Sequence, residues 1–301
     1  MSLPTPARTA SSTATRRDIL AALPVAFHDD GSLDLDGSRR IVEFSAASGV
    51  DGAFVLGTTG EFPSLSIEER NTIAAMSVDV LGPERTVVHV GASSLHEVLL
   101  LIEGARAAGA LRIAVLTPYY LPASDAAVED FFAAVSRASD GLAVFAYLFR
   151  DRTGVHVGPE LLGRLAQLPN IVGVKLSGEP VESVAAYRAA VPDDFEIFTG
   201  ADRDLAKVAD VGGQGVVSGI SSVFPEPFVA LVAALESGDP EAIAQAQLAV
   251  DDVVDTVKGD PALMKAGLAL RGIDAGVARM ALDTPSEQDR AELARAVASY
   301  A

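Results

Sequence analysis

The sequence predicts an α/β fold, a (β/α)8 TIM barrel with a C-terminal helical extension. Three observations carry this. From Asp18 onward, short apolar runs alternate with longer segments of helical period. The apolar runs are mostly continuous, as in parallel strands buried on both faces. After Ser218 only helical segments follow. A doubly wound open sheet shares the alternation, and alternation alone does not separate the two.

The expected strands are Ile19–Val25, Ala53–Leu56, Thr86–Val90, Arg112–Leu116, Ala143–Tyr147, Val172–Lys175, Glu196–Phe198 and Gly215–Ser218. Between them, helical spacing covers Asp36–Ser48, Ser66–Leu81, Leu95–Ala108, Ser124–Ser139, Pro159–Leu168, Val181–Val191 and Ala201–Val211. Ser66 with Glu69 reads as a capping box, and Ser124 stands where an N-cap belongs. Pro227–Leu235, Pro240–Val257, Pro261–Leu270 and Ser286–Tyr300 read as the closing helices. The expected organisation is a disordered tail over 1–17, a barrel over 18–219 and a helical extension over 220–301. Residues Met1–Thr15 are rich in Ser, Thr, Ala and Pro, with little to bury.

Composition removes several function classes. The 301 residues carry a formal net charge of −18, which repels phosphate backbones, so no nucleic-acid partner is expected. No apolar run approaches the roughly 20 residues needed to cross a bilayer, so no membrane partner is expected and a cytoplasmic location is. There is no cysteine, hence no disulfide, thiolate metal site or cysteine nucleophile. The four histidines, His28, His89, His96 and His156, form no ligand-spaced pair, so no metal is expected. A nicotinamide fingerprint is missing after the first strand, and Gly57-Thr58-Thr59-Gly60 lacks the lysine of a phosphate-binding P-loop.

In a barrel, catalytic groups sit at the C-terminal ends of strands and on the loops beyond them. Four polar segments fall there: Gly57-Thr58-Thr59-Gly60-Glu61, Thr117-Pro118-Tyr119-Tyr120, Tyr147 and Lys175. Lys175 ends the apolar run Asn170–Val174. It reads equally well as a lysine reaching from a strand end to water and as an amine placed to attack a ketone carbonyl. Tyrosines on the same rim favour the second reading, since a phenol can shuttle protons during imine formation. Tyr147 also fits as a core aromatic, Tyr119 and Tyr120 as loop aromatics, and Thr58 and Thr59 as helix caps.

These segments resemble the dihydrodipicolinate synthase and N-acetylneuraminate lyase superfamily of class I aldolases. The resemblance runs from about Ile19 to the C-terminal region. It rests on Gly57–Glu61, Thr117–Tyr120, Tyr147 before Arg152-Thr153-Gly154, Gly173-Val174-Lys175 and Gly213–Ser218, which includes Val217. It implies that Lys175 forms a Schiff base with pyruvate or another 2-keto acid, without a separate cofactor. Tyr147 would be the general acid/base, with Thr58 and Tyr120 completing the relay. Gly57, Thr58, Thr59 and Val217 would line the keto-acid site, and Arg152 would bind a carboxylate of the second substrate, an aldehyde. The residue matching Tyr120 often reaches in from a neighbouring subunit in this family, implying a homodimer or homotetramer. Two departures stand out: Leu148-Phe149-Arg150 where the family has Asn, an apolar residue and Pro, and Leu176 where it commonly has Asp or Glu. The reactions implied are a synthase condensing pyruvate with aspartate semialdehyde, an aldolase for 2-keto-3-deoxy sugar acids, and a dehydratase using the same imine. A keto-acid sensor without turnover is the reading from another class.

Overall fold

Eight parallel strands close on themselves in sequence order, and β8 returns to β1 with Asp18 opposite Gly215 and Ala21 opposite Ser218. They are β1 (Asp18–Ala22), β2 (Gly52–Val55), β3 (Thr86–His89), β4 (Arg112–Leu116), β5 (Ala143–Leu148), β6 (Ile171–Leu176), β7 (Glu196–Thr199) and β8 (Gly215–Ser218). Closure removes the open-sheet alternative. The computed structural model describes residues 17–300. The expected disordered tail therefore lies outside the described residues, apart from Arg17, whose Nε donates to the Ala206 carbonyl at 2.9 Å.

Around the barrel run α1 (Leu35–Ala47), α2 (Ile67–Leu81), α3 (Leu95–Ala107), α4 (Asp125–Ala138), the single turn α5 (Arg150–Thr153), α6 (Pro159–Leu165), α7 (Val184–Ala190) and α8 (Pro225–Ser237). Three further helices follow: α9 (Pro240–Val257), α10 (Pro261–Leu270) and α11 (Glu287–Tyr300). The caps are those the sequence spells. Ser66 Oγ accepts from the Glu69 amide at 3.2 Å while the Glu69 carboxylate accepts from the Ser66 amide at 2.9 Å. Asp239-Pro240 and Asp260-Pro261 start α9 and α10 alike, a carboxylate cap followed by a proline whose missing N–H costs nothing there.

One expected helix does not form. Ala201–Val211 is two short 3₁₀ turns, Asp202–Asp204 and Val208–Val211. Its buried anchors, Leu205 and Val208, stand three residues apart, a spacing that suits three residues per turn. The turn also brings Asp202 to the rim beyond β7, which decides its role below.

Two apolar layers result from the strand period of two. Val144, Ala146 and Leu148 of β5 face outward to the helices, whereas Phe145 and Tyr147 face the lumen with Phe54, Phe198 and Val217. Gly173 makes this possible, since a Cβ there would stand 2.5 Å from the Phe145 ring. Emptying the Phe145 position would cost about 3–5 kcal/mol. The same alternation places Leu148 and Leu176, two of the departures from the family pattern, in the outer layer and away from the lumen.

Candidate active site

Tyr147 and Lys175 are register partners on β5 and β6, so both side chains enter the lumen at one level. The Lys175 Nζ lies 4.4 Å from the Tyr147 ring centre and 4.5 Å from that of Phe54, and the residue is 7% exposed. The Tyr147 hydroxyl is 3.2 Å from Thr58 Oγ1, close enough to share a proton. Phe54 and His89 pack edge-on to the Tyr147 ring at 5.7 Å each, fixing its tilt.

The loop after β2 winds tightly, with the Gly60 amide donating to the Gly57 carbonyl and the Glu61 amide to that of Thr58. Gly57 is obligatory for space: a Cβ would lie 2.9 Å from the Phe54 ring. Across the lumen, a Cβ on Gly219 would lie 3.1 Å from Thr59 Oγ1, so the loop and the end of β8, with Val217 in the inner layer, face one another closely.

Two expected site residues stand apart. Tyr120 is 91% exposed with φ of 80°, so within one chain it does not join the Thr58–Tyr147 hydroxyl pair. Arg152 lies on α5, exposed, its guanidinium 5.7 Å over the Phe149 ring; that ring in turn stacks on Tyr147 at 6.2 Å.

The structure adds two groups that sequence reasoning passed over. Asp202 has one carboxylate oxygen enclosed and without a hydrogen-bond partner. Burial pushes its pKa up to about 6, against the hydrogen bond from Ser218 and the charge of Lys175, which favour ionisation. It follows β7 as Thr58 follows β2, and the rim rule applied to β7 would have found it; the expected helix hid it. His89, at the end of β3, is fully buried. Burial holds its imidazole well below the usual range, with the Arg70 cation pushing the same way. It is therefore neutral, and Nδ1–H is assigned as donor to the Leu56 carbonyl at 2.8 Å.

Residues 15–300 match the dihydrodipicolinate synthetase family. The chain belongs to that family. A DapA-like lyase of uncharacterised function from Halobacterium salinarum is 35% identical over 278 residues, 91% of each chain. A 4-hydroxy-tetrahydrodipicolinate synthase from Exiguobacterium sp. is 31% identical, over 94% of this chain and 97% of its own. Among solved structures, a prophage protein of the dihydrodipicolinic acid synthase family from E. coli K12, in complex with pyruvate, superposes with a TM-score of 0.86 at 27% identity, over 94% of this chain and 98% of that one. This member of the dihydrodipicolinate synthetase family is a lyase of the class I aldolase type. Among its described residues, no helix is long and apolar enough to cross a membrane.

Proposed function

We propose that this chain makes or breaks a carbon–carbon bond through a Schiff base between Lys175 and pyruvate or a related 2-keto acid. The observation that carries the reading is the level placement of Lys175 and Tyr147, with Thr58 on the Tyr147 hydroxyl. The neutral amine attacks the keto carbon, a C–N bond forms, and water leaves as Tyr147 supplies and removes protons through Thr58. The iminium then accepts the electron pair of the breaking carbon–carbon bond, and Tyr147 takes the proton of the substrate hydroxyl as aldehyde departs. Synthesis runs the same steps backwards. Gly57, Thr58 and Thr59 hold the keto-acid carboxylate. That a relative from E. coli K12 was solved in complex with pyruvate supports a 2-keto acid as the substrate.

For the second substrate, two observations pull differently. Arg152 offers an exposed cation for a carboxylated aldehyde, the synthase reading. Asp202 offers one enclosed, unpartnered carboxylate oxygen within the electrostatic reach of Lys175, which suits a hydroxylated aldehyde and hence cleavage of a 2-keto-3-deoxy sugar acid. The chain also pairs with a second copy through the Tyr120 face. There Tyr120 and Leu121, 91% and 70% exposed, border a cavity of about 540 Å³, and pairing would carry Tyr120 to the partner's relay.

Incubation with pyruvate and borohydride, then peptide mapping, tests the proposal. A reduced pyruvyl adduct on Lys175, lost in a folded Lys175→Ala variant, is expected. An adduct elsewhere, or activity in Lys175→Ala, overturns it.

A further inference from the structure

The loop Gly57–Gly60 is bracketed by two non-glycine residues in the left-handed region, Leu56 with φ of 63° and Glu61 with φ of 52°, both 1% exposed. Such residues persist only where their surroundings enforce them, and they gather at functional sites. Here each is enforced by a buried polar side chain that the reaction itself does not use.

At the entry, the Leu56 carbonyl accepts from His89 Nδ1 at 2.8 Å. The His89 backbone is itself fixed: Arg70, buried on α2, donates to the carbonyls of His89 at 2.8 Å and Gly91 at 2.9 Å. Gly91 leaves the ring its space, since a Cβ there would meet Nε2 at 2.5 Å. At the exit, the Glu61 carboxylate accepts from the backbone amides of Arg279 and Met280, both at 2.8 Å. Its other oxygen pairs with Lys265 Nζ at 2.7 Å, and Lys265 also donates to the Val277 carbonyl at 2.6 Å. Arg279 forks onto Glu69 at 2.6 and 2.8 Å, tying α2 to the same C-terminal segment. The loop is thus anchored to β3 on one side and to α10 and the strap before α11 on the other.

We infer that His89 and Glu61 are positioning residues that clamp the two ends of this loop, so that Thr58 and Thr59 present one fixed geometry to the keto-acid carboxylate. The inference rests on the assignment of that loop as the carboxylate cradle. The C-terminal extension is then part of the active-site scaffold, through Lys265 and Arg279.

The test uses the full chain and two readouts, the pyruvate concentration that half-saturates borohydride trapping on Lys175 and amide hydrogen exchange over residues 57–61. His89→Leu removes the donor. Glu61→Gln turns an amide NH₂ towards the Lys265 cation. Both are expected to raise the half-saturating concentration about tenfold to a hundredfold, with the adduct still reaching its plateau, and to speed exchange of the loop while β5 and β6 stay protected. His89→Asn, which places an N–H near the Nδ1 position, and the double variant Glu61→Gln with Lys265→Met, which removes the facing cation, should return both readouts towards wild type. Folded His89→Leu and Glu61→Gln with unchanged half-saturation and unchanged loop exchange would overturn the clamp. If His89→Leu does not fold, Glu61→Gln and Lys265→Met carry the same two readouts. Wild-type protein that gives no adduct sinks the keto-acid reading instead, and loop exchange then decides the clamp.

Discussion

At the N-terminal rim of the barrel, polar groups find partners across the strands. Arg112 on β4 pairs with Glu196 on β7 at 3.1 Å, the Gln214 amide donates to Asp18 at 3.0 Å, and Asp51 accepts from the Ile19 amide at 2.9 Å. At the C-terminal rim the arrangement is reversed. His89 Nε2, Thr117 Oγ1 and Asp202 Oδ1 are buried without partners, and three of the four non-glycine residues with positive φ among those described, Leu56, Glu61 and Tyr120, lie on its loops. Among the described residues, the N-terminal rim leaves one such atom, Asn170 Oδ1, without a partner, against three at the rim that carries Lys175. An unpaired buried group costs stability unless a ligand completes it, so the contrast marks which end evolved to meet a substrate.

Substitutions at the two ends sharpen the contrast. The largest effect is expected for Tyr147→Phe, which deletes the hydroxyl beside Thr58 and leaves the ring packing. Turnover should fall about 10²–10⁴-fold in steady-state assays while the melting temperature hardly moves; an unchanged rate removes Tyr147 from the relay. Asp202→Asn comes next. Its folded pKa of about 6 lies above the ordinary 3.8, so ionisation opposes folding. That penalty is absent below about pH 4, grows as pH rises through about 6, and reaches about 2–3 kcal/mol above it. The variant should therefore be more stable than wild type in denaturant titrations at pH 8, and equal to it at pH 4, while losing activity on hydroxylated substrates. Equal stability at both pH values would show that Asp202 is not desolvated. The smallest effect belongs to the other rim. Glu196→Gln should cost about 1 kcal/mol, since the pair is only partly buried, and should leave KM untouched. A shift in KM would mean the two ends are coupled.

The barrel was legible because its signal is repetitive: eight apolar runs in alternation leave few other folds, and each observed strand overlaps its expected run. Lys175, Tyr147 and Thr58 were legible because strand tips can be counted along the chain, and the structure gathers all three. Tyr120 and Arg152 were legible as motif positions only; their placement away from Lys175 depends on a loop with positive φ and on a single helical turn, neither written in hydrophobic period. Asp202 was hidden because Leu205 and Val208 mimic a helix face while packing as a 3₁₀ turn. His89 was visible as a histidine, but its bond crosses from β3 to the end of β2, a contact that the pairing of those two strands creates and hydrophobic period does not specify.

Two residues below Tyr147 on β5, Phe145 fills the lumen with its ring edge-on to that of Phe198, and Arg112 lies 4.9 Å over the Phe145 ring. The lumen is thus closed on the side away from the C-terminal rim. On the proposed Schiff-base reading, a keto acid held on Lys175 would lie at that inner end, with the aldehyde between it and the mouth. Traffic on that reading would have a fixed sequence, with the keto acid the first to enter and the last to leave.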